Sequence, residues 1–374
     1  MEKFFATQRD IAHLESLYEG KKMYHGDTHG HSASHPNSDG KQSFQQWKAH
    51  MEKYEIDFAT IVDHSQVAHM LREDWDDTMF IGGSEPGLDV LDTEIGNWKN
   101  IDYGIIFTNA ADMIAMLEEY PEELKYDRET GLFARKHFKG DRARIAELIG
   151  AIKRHGGMFI YEHPFLQTIY GGYYDPVDPA NRFFADEIGF EVFNQIAETY
   201  DPAYNVAAYD AWVELLNAGH RLWATSGSDC HSVLPWVRSL NTLYATEKNA
   251  TGFFRELSSG NITAGALGIR IAVGDTVTGS AGRFEDQRVV IAVGDFHPLI
   301  VNPPYDPDEP EEPTHMFRVD VFDDTGLVFS QPVSTEEMNY FAFDAKADAK
   351  YYRATVYDLT ADRIAAVGNP VFNR

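Results

Sequence analysis

Short apolar runs alternate with stretches of helical periodicity between about residues 24 and 260. The apolar runs predict buried strands at 58–62, 104–108, 158–162, 188–193 and 222–226. Helical stretches lie at 42–54, 143–155 and 204–218, and glycines follow the last two of them. This alternation predicts parallel strands joined by crossover helices, arranged as a barrel or an open sheet.

The pattern changes after residue 265, where no long helical stretch separates the apolar runs. Short strands, several of them alternating, are predicted at 288–293, 316–322, 327–329, 339–343 and 351–357. We therefore predict an α/β fold, with a first domain at 1–265 and a small antiparallel β-sandwich at 266–374. The polar residues 110–142 are predicted to be a helical insertion that overhangs the functional site.

Histidines and carboxylates follow several predicted strands at the point where each strand ends. The groups are His29 and His31 after a strand at 23–26, then Asp63-His64, Glu162-His163, Glu191 and Asp229-Cys230-His231. Because the carboxyl ends of such strands converge on one face, these side chains should lie together. Imidazoles and carboxylates without a thiolate suit Zn²⁺, Mn²⁺ or Fe²⁺ better than Ca²⁺ or Mg²⁺. About nine donors at roughly four to five ligands per ion would allow two or three ions.

The order of these motifs resembles that of the polymerase and histidinol phosphatase (PHP) superfamily. The nearest branch is the stand-alone metal-dependent phosphoesterases with a C-terminal β-domain. The motifs are Asp-x-His-x-His with Ser-Asp-Gly shortly after, Val-Asp-His, Glu-His-Pro, Glu-Val-Phe-Asn and Gly-Ser-Asp-x-His, within about residues 20–262. The resemblance implies a distorted seven-stranded (β/α) barrel with a trinuclear metal centre.

The resemblance also implies a set of metal ligands. The first ion would be held by His29, His31 and Asp229, with Glu94 bridging to a second ion that His163 and Glu191 complete. The third ion would be held by Asp39, His64 and His231.

Two positions depart from the motif pattern of the family. Tyr103 stands where a histidine is expected at the start of a strand, which leaves Glu85 as a rival of Glu94 for the bridge. His35 lies between His31 and Asp39 and could replace or assist Asp39 as a ligand.

The predicted reaction is hydrolysis of a phosphate ester, with a hydroxide held between two ions attacking phosphorus. Asp63 is available to orient a ligating imidazole, and His35 to protonate the leaving group. Arg238 could contact the substrate phosphate, although a surface salt bridge is the alternative interpretation. The same centre could instead hydrolyse a carboxylic or carbamate ester, and a non-catalytic metal-binding module is a third hypothesis.

The net charge of −27 indicates which partners to expect. Such a surface repels nucleic acid and anionic membranes, so we expect a small phosphorylated substrate and no stable nucleic-acid partner. The single cysteine excludes an intramolecular disulfide, and no apolar stretch suggests a signal peptide or a membrane span, so a cytoplasmic location is expected. The β-rich tail could cover a barrel face, recognise substrate or form a homo-oligomer.

Overall fold

The computed structural model describes residues 4–35, 38–91, 98–134, 138–166, 185–232, 239–301 and 314–374. The helices are α1 (Gln8–Leu17), α2 (Phe44–Lys53), α3 (Ala110–Glu118), α4 (Pro121–Leu124), α5 (Arg142–Arg154), α6 (Gln195–Tyr200), α7 (Ala203–Asn217), α8 (Ala250–Ser258) and α9 (Pro298–Val301), with a 3₁₀ turn at Ala68–Leu71. No helix in these ranges is both long enough and apolar enough to cross a membrane.

The strands form two sheets. They are β1 (Lys22–Gly30), β2 (Phe58–Ile61), β3 (Phe80–Ser84), β4 (Gly87–Leu91), β5 (Trp98–Phe107), β6 (Phe138–Gly140), β7 (Met158–Tyr161), β8 (Ile188–Asn194), β9 (Leu222–Gly227), β10 (Asn241–Ala245), β11 (Ile262–Ala264), β12 (Gly268–Val273), β13 (Thr276–Val277), β14 (Ala281–Gly282), β15 (Arg288–Gly294), β16 (Phe317–Asp323), β17 (Gly326–Val333), β18 (Asn339–Asp344), β19 (Tyr351–Asp358) and β20 (Arg363–Asn373).

Local sequence explains the elements that carry the site. The apolar residues Ile145, Leu148, Ile149 and Ile152 repeat at helical spacing, and all four are buried on one face of α5. The side chain of Asp141 caps this helix by accepting a hydrogen bond from the backbone N–H of Arg144. Every residue of β8 is buried, which is the pattern of a parallel strand covered on both faces.

The first part of the large sheet follows the order β1-β2-β3-β5-β7-β8-β9. Its strands β1, β2 and β3 run parallel, as do β7, β8 and β9. The ends of β1 and β9 meet, because the backbone N–H of Asp229 donates to the carbonyl of His29 at 2.8 Å. A mixed α/β fold is thus confirmed, whereas a closed seven-stranded barrel remains a prediction.

The expectation of uniformly parallel strands is wrong at β5, which runs antiparallel to both β3 and β7. The reason is the connection between β3 and β5, which passes through β4, a strand that pairs antiparallel with β5. A hairpin of this kind reverses the chain direction, whereas a parallel pair needs a crossover.

The region 110–142 begins with α3 and α4, and its later residues include the short strand β6. Between these elements, Leu132 forms a bridge with Gln66, and the backbone N–H of Val67 donates to the carbonyl of Gly131 at 2.8 Å. The insertion therefore packs beside the segment that follows His64.

The C-terminal strands divide between the two sheets. The strands β13, β12, β15 and β18 form a separate four-stranded sheet, whereas β17, β16, β19 and β20 extend the large sheet through the pairing of β20 with β11. The predicted boundary lies at Gly265, whose φ of 129° suits glycine. A self-contained sandwich at 266–374 remains a prediction.

Candidate metal centre

A buried aspartate ties the end of β1 to the end of β9. Asp27 accepts hydrogen bonds from the backbone N–H groups of His29 and Ser228, both at 3.0 Å, and from the Ser228 hydroxyl. A side chain at Gly227 would collide with Glu191 and His29, so the close approach of the two strand ends requires glycine at this position. The His-x-His and Ser-Asp-x-His motifs are consequently held against each other.

Four buried residues form what we call the central group: His29, His31, Glu85 and Asp229. The Nε2 atom of His31 lies 3.1 Å from Asp229 Oδ1 and 3.3 Å from Glu85 Oε2. The Nε2 atom of His29 lies 3.4 Å and 3.5 Å from the same two oxygens. Asp229 has a φ of 54°, which is an uncommon conformation for a residue other than glycine. Residues in such conformations are found most often at functional sites.

The inner group comprises Glu85, Asp102 and His163. The Nε2 atom of His163 lies 3.0 Å from Glu85 Oε1, so the two oxygens of Glu85 serve two neighbouring groups. Asp102 lies on β5, opposite Gly87 of β4.

The outer group comprises His31, Asp39, His64 and His231. The two oxygens of Asp39 lie 3.1 Å from His64 Nε2 and 3.4 Å from His231 Nε2. The rings of His31 and His231 stack with their centroids 4.2 Å apart. The side chains of Asp39 and His231 are 45% and 33% exposed, so this end of the centre reaches solvent.

Charges compensate one another where the central and inner groups meet. Burial opposes charge on Glu85, but His64, His29 and His163 hold the pKa of Glu85 well below its usual range. Burial likewise opposes charge on His163, but Glu85 raises the pKa of His163 to about 10. The His163 imidazole therefore carries a proton that a divalent ion would displace on binding.

Several buried polar atoms of the centre lack a hydrogen-bond partner among the described residues. They are His29 Nε2, His31 Nδ1, Asp39 Oδ1 and His163 Nδ1. Buried polar atoms are nearly always paired, and an ion is one explanation of a cluster that is not. Together with the donor types of the three groups, these atoms fit divalent metal ions.

Glu191, a predicted ligand of the second ion, lies behind His29. Its Oε1 atom is 3.2 Å from His29 Nδ1, and its Oε2 atom accepts hydrogen bonds from the backbone N–H of His163 and the side chain of Asn194. None of the three groups contains Glu191. A carboxylate in this position can orient the His29 imidazole, and the role of Glu191 as a metal ligand stays a prediction.

Glu162 is a second carboxyl group beside His29, at 3.8 Å from Nδ1. Both of its oxygens are buried without a hydrogen-bond partner in the described part of the chain. Burial raises the pKa of Glu162 well above its usual value. A Cβ atom at Gly104 would contact Glu162, which explains the glycine on this face of β5.

Asp63, predicted to orient an imidazole, organises the loop that carries Asp39. It accepts hydrogen bonds from the backbone N–H of Ser32 at 2.6 Å and from the hydroxyls of Ser32, Ser34 and Ser38 at 2.7, 2.6 and 3.1 Å. Its side chain has no exposed surface. Asp63 therefore holds Ser32, Ser34 and Ser38 together between His31 and Asp39.

Replacing Asp63 with asparagine is expected to weaken metal binding at the outer group by about 10–100-fold, the usual effect of losing a supporting contact. The amide nitrogen of asparagine cannot accept a hydrogen bond, so one side of the serine cluster would lose its acceptor. Metal competition titrations measure this change. Asp358→Asn is the matched control, because Asp358 is also buried but lies in the tail. Equal affinities in wild type and Asp63→Asn would contradict the assigned role.

The remaining predicted residues are placed as follows. His35 lies in the same loop as Asp39, and none of the three groups includes it. Glu94 and Arg238 lie outside the described residues, so their roles stay predictions. Glu85, the rival bridge, belongs to two groups. Asp102 had no assigned role, although it directly precedes Tyr103, where the family pattern places a histidine.

No protein-family model and no curated protein sequence matches the chain. Among solved structures, it is similar to a lesion-specific endonuclease from Pyrococcus furiosus, with 15% identity over 63% of this chain and 56% of that one, and a TM-score of 0.41. It is also similar to a candidate metal-dependent phosphoesterase from Bifidobacterium adolescentis, with 15% identity over 55% and 87% of the two chains, and a TM-score of 0.30.

A third similarity is to an amidohydrolase from Chromobacterium violaceum, with 14% identity over 55% of this chain and 87% of that one, and a TM-score of 0.32. The match spans little more than half of the endonuclease. At TM-scores below 0.5 and identities of 14–15%, these likenesses define no activity, substrate or metal for this chain.

Proposed function

We propose that the protein is a metal-dependent hydrolase that cleaves phosphate esters at a centre of two or three divalent ions. The observation that carries the proposal is the overlap of the three groups. The outer and central groups share His31, and the central and inner groups share Glu85. Overlapping ligand sets are what neighbouring ions with common ligands require.

The chain's own residues would divide the ligation between them. The central group would hold one ion, the inner group a second and the outer group a third, with Glu85 and Asp229 supplying negative charge between imidazoles. Bound divalent ions would supply activation of water and neutralisation of phosphoryl charge. Glu191 would orient His29, and Asp63 would position Asp39, so that the ligands are held in place before substrate arrives.

The exposure of the outer group suggests where substrate enters. Asp39 and His231 are the more exposed members of the centre, whereas His29, His31 and Glu85 are buried. A phosphate that approaches Asp39 in the ion-free protein would meet a negative carboxylate, because burial raises the pKa of Asp39 but the neighbouring His231 and His64 imidazoles lower it further. Anionic substrate binding at this end therefore depends on bound cations.

The proposed substrate is a small phosphorylated molecule rather than a long nucleic acid. With a net charge of −27, the protein repels an extended polyanion over most of its surface. A small ester avoids this repulsion, because its charge contacts only the cation-loaded centre.

A panel of nitrophenyl esters tests the proposed function. We expect the Mn²⁺-loaded protein to hydrolyse a phosphomonoester or a phosphodiester, and His64→Ala to abolish that turnover, because His64 contacts both Asp39 and Glu85. His220→Ala is the matched control, since His220 pairs with Asp186 on a helix-to-strand connection.

Turnover of a carboxylic ester alone would place the attack at carbon and overturn the phosphoesterase proposal. If the ion-loaded protein hydrolysed none of the esters, the result would instead support a non-catalytic metal-binding module.

A further inference from the structure

The ratio of nitrogen to oxygen donors falls from one end of the centre to the other. The outer group has three imidazoles and one carboxylate, the central group has two of each, and the inner group has one imidazole and two carboxylates. The three groups share ligands, so this gradient runs over neighbouring positions.

A third carboxylate, that of Asp229, lies near the inner group beside those of Glu85 and Asp102. The only imidazole of the inner group, His163, faces Glu85 Oε1 at 3.0 Å and also lies 4.0 Å from Asp229 Oδ2. Asp102 adds a carboxylate from β5. Imidazole nitrogen is a preferred donor for Zn²⁺, whereas carboxylate and water oxygens suit Mn²⁺ and Mg²⁺.

We propose that the centre is heterometallic, with Zn²⁺ in the outer and central groups, which hold more imidazoles than the inner group, and Mn²⁺ in the inner group. Asp102 is the residue that sets this preference, because it makes carboxylates the majority in the inner group. The inference rests on the metal centre of the proposed function and adds the identity and place of each ion. It concerns metal occupancy and not turnover.

Metal-resolved crystallography tests the distribution of ions. Ion-free protein would receive enough Zn²⁺ to fill two groups and then an excess of Mn²⁺, and anomalous differences would be recorded at both absorption edges. We expect a manganese peak between Glu85, Asp102 and His163 and zinc peaks at the other two groups. Manganese at the outer group, or zinc at the inner group despite free Mn²⁺, would overturn the proposal.

A reciprocal pair of variants tests the role of Asp102 in solution. Electron paramagnetic resonance of zinc-loaded protein titrated with Mn²⁺ counts the tightly bound manganese. Asp102→Asn should weaken this binding by at least about tenfold, whereas Asp39→Asn should lose zinc and keep tight manganese. Equal manganese affinity in wild type and Asp102→Asn would reject the assignment.

Asp102→His tests the opposite change, a gain of zinc preference in the inner group. It is a second, independent variant in case Asp102→Asn does not fold. With a second imidazole, the inner group should shift its zinc-to-manganese occupancy ratio toward zinc by at least about tenfold. An unchanged ratio in a folded variant would reject the proposal. Because occupancy is measured without substrate, a protein that binds both ions as expected but hydrolyses no ester would refute only the proposed reaction.

Discussion

Replacing Glu85 with glutamine is expected to abolish most hydrolytic activity and to remove ions from two groups at once. The two oxygens of Glu85 face His163 on one side and His29 and His31 on the other. An uncharged amide would leave one side with an N–H group, which cannot bind a cation. We expect turnover to fall by about 10²-fold or more, and ion affinity at the central and inner groups to fall by about 10–100-fold each.

Metal content after dialysis and turnover at saturating metal measure the two effects separately. Glu256→Gln is the matched control, because Glu256 is also buried and paired, with Lys21 at 2.8 Å and Asn261 at 2.7 Å, but lies outside the three groups. Both variants should lose some stability, yet only Glu85→Gln should lose ions. If Glu85→Gln kept a full complement of ions, Glu85 would not be a shared ligand.

The predictable part of the site is the part that lies at the ends of parallel strands. His29, His64 and His231 each follow an apolar run, and β1, β2 and β9 bring their carboxyl ends to the same edge. For these residues, local sequence and a general rule of parallel sheets suffice to predict proximity.

Asp102 was not predicted as a site residue, because β5 runs antiparallel to its neighbours β3 and β7. In a parallel sheet, a residue before the apolar run 104–108 would lie at the edge opposite the site. Since β5 is antiparallel, its residue Tyr103 pairs with Tyr161 at the end of β7, and the amino-terminal half of β5 reaches the ligand edge. The direction of β5 follows from its hairpin with β4, which the apolar pattern did not reveal.

The path of the tail was unpredictable for a different reason. The strand β20 joins the large sheet where Thr263 pairs with Gly368 and Ala264 pairs with Val367. Asn369 then accepts a hydrogen bond from the backbone N–H of Ala224 at 2.6 Å, next to the strand that leads to Asp229. These contacts join residues far apart in sequence, so periodicity within the tail predicts its strands but not their partner.

Acid is expected to destabilise the protein through a pair of buried histidines, His25 and His297. The rings of His25 and His297 lie with their centroids 4.9 Å apart, at 4% and 3% exposure. Burial, together with the neighbouring His297, lowers the pKa of His25 to about 3. Burial also lowers the pKa of His297 to about 4, against smaller opposing effects that include Asp57. Both rings therefore stay neutral in the folded protein at mildly acidic pH.

The sign of the effect follows from proton uptake by the unfolded chain. Above the unfolded pKa of 6.5, both states are neutral and the pair contributes no pH dependence. As pH falls below 6.5, the unfolded chain binds a proton at each histidine. The folded protein does not bind these protons until the pH reaches about 4 for His297 and about 3 for His25. Between about pH 6.5 and pH 5, each histidine should lower the free energy of unfolding by about 2 kcal/mol.

Urea unfolding at about pH 7 and about pH 5, in the presence of a chelator, measures this loss of unfolding free energy. The variant His297→Gln separates the contribution of the histidine pair from the titration of the metal centre. Glutamine cannot take up the proton, so the variant should lose about 2 kcal/mol less than wild type between the two pH values, whatever its stability at neutral pH. Because His297→Gln retains the whole metal centre, any acid sensitivity of its carboxylates and imidazoles cancels in the comparison with wild type. An unaltered pH dependence in His297→Gln would mean that His297 is protonated in the folded protein, and that the contact with His25 does not exclude charge.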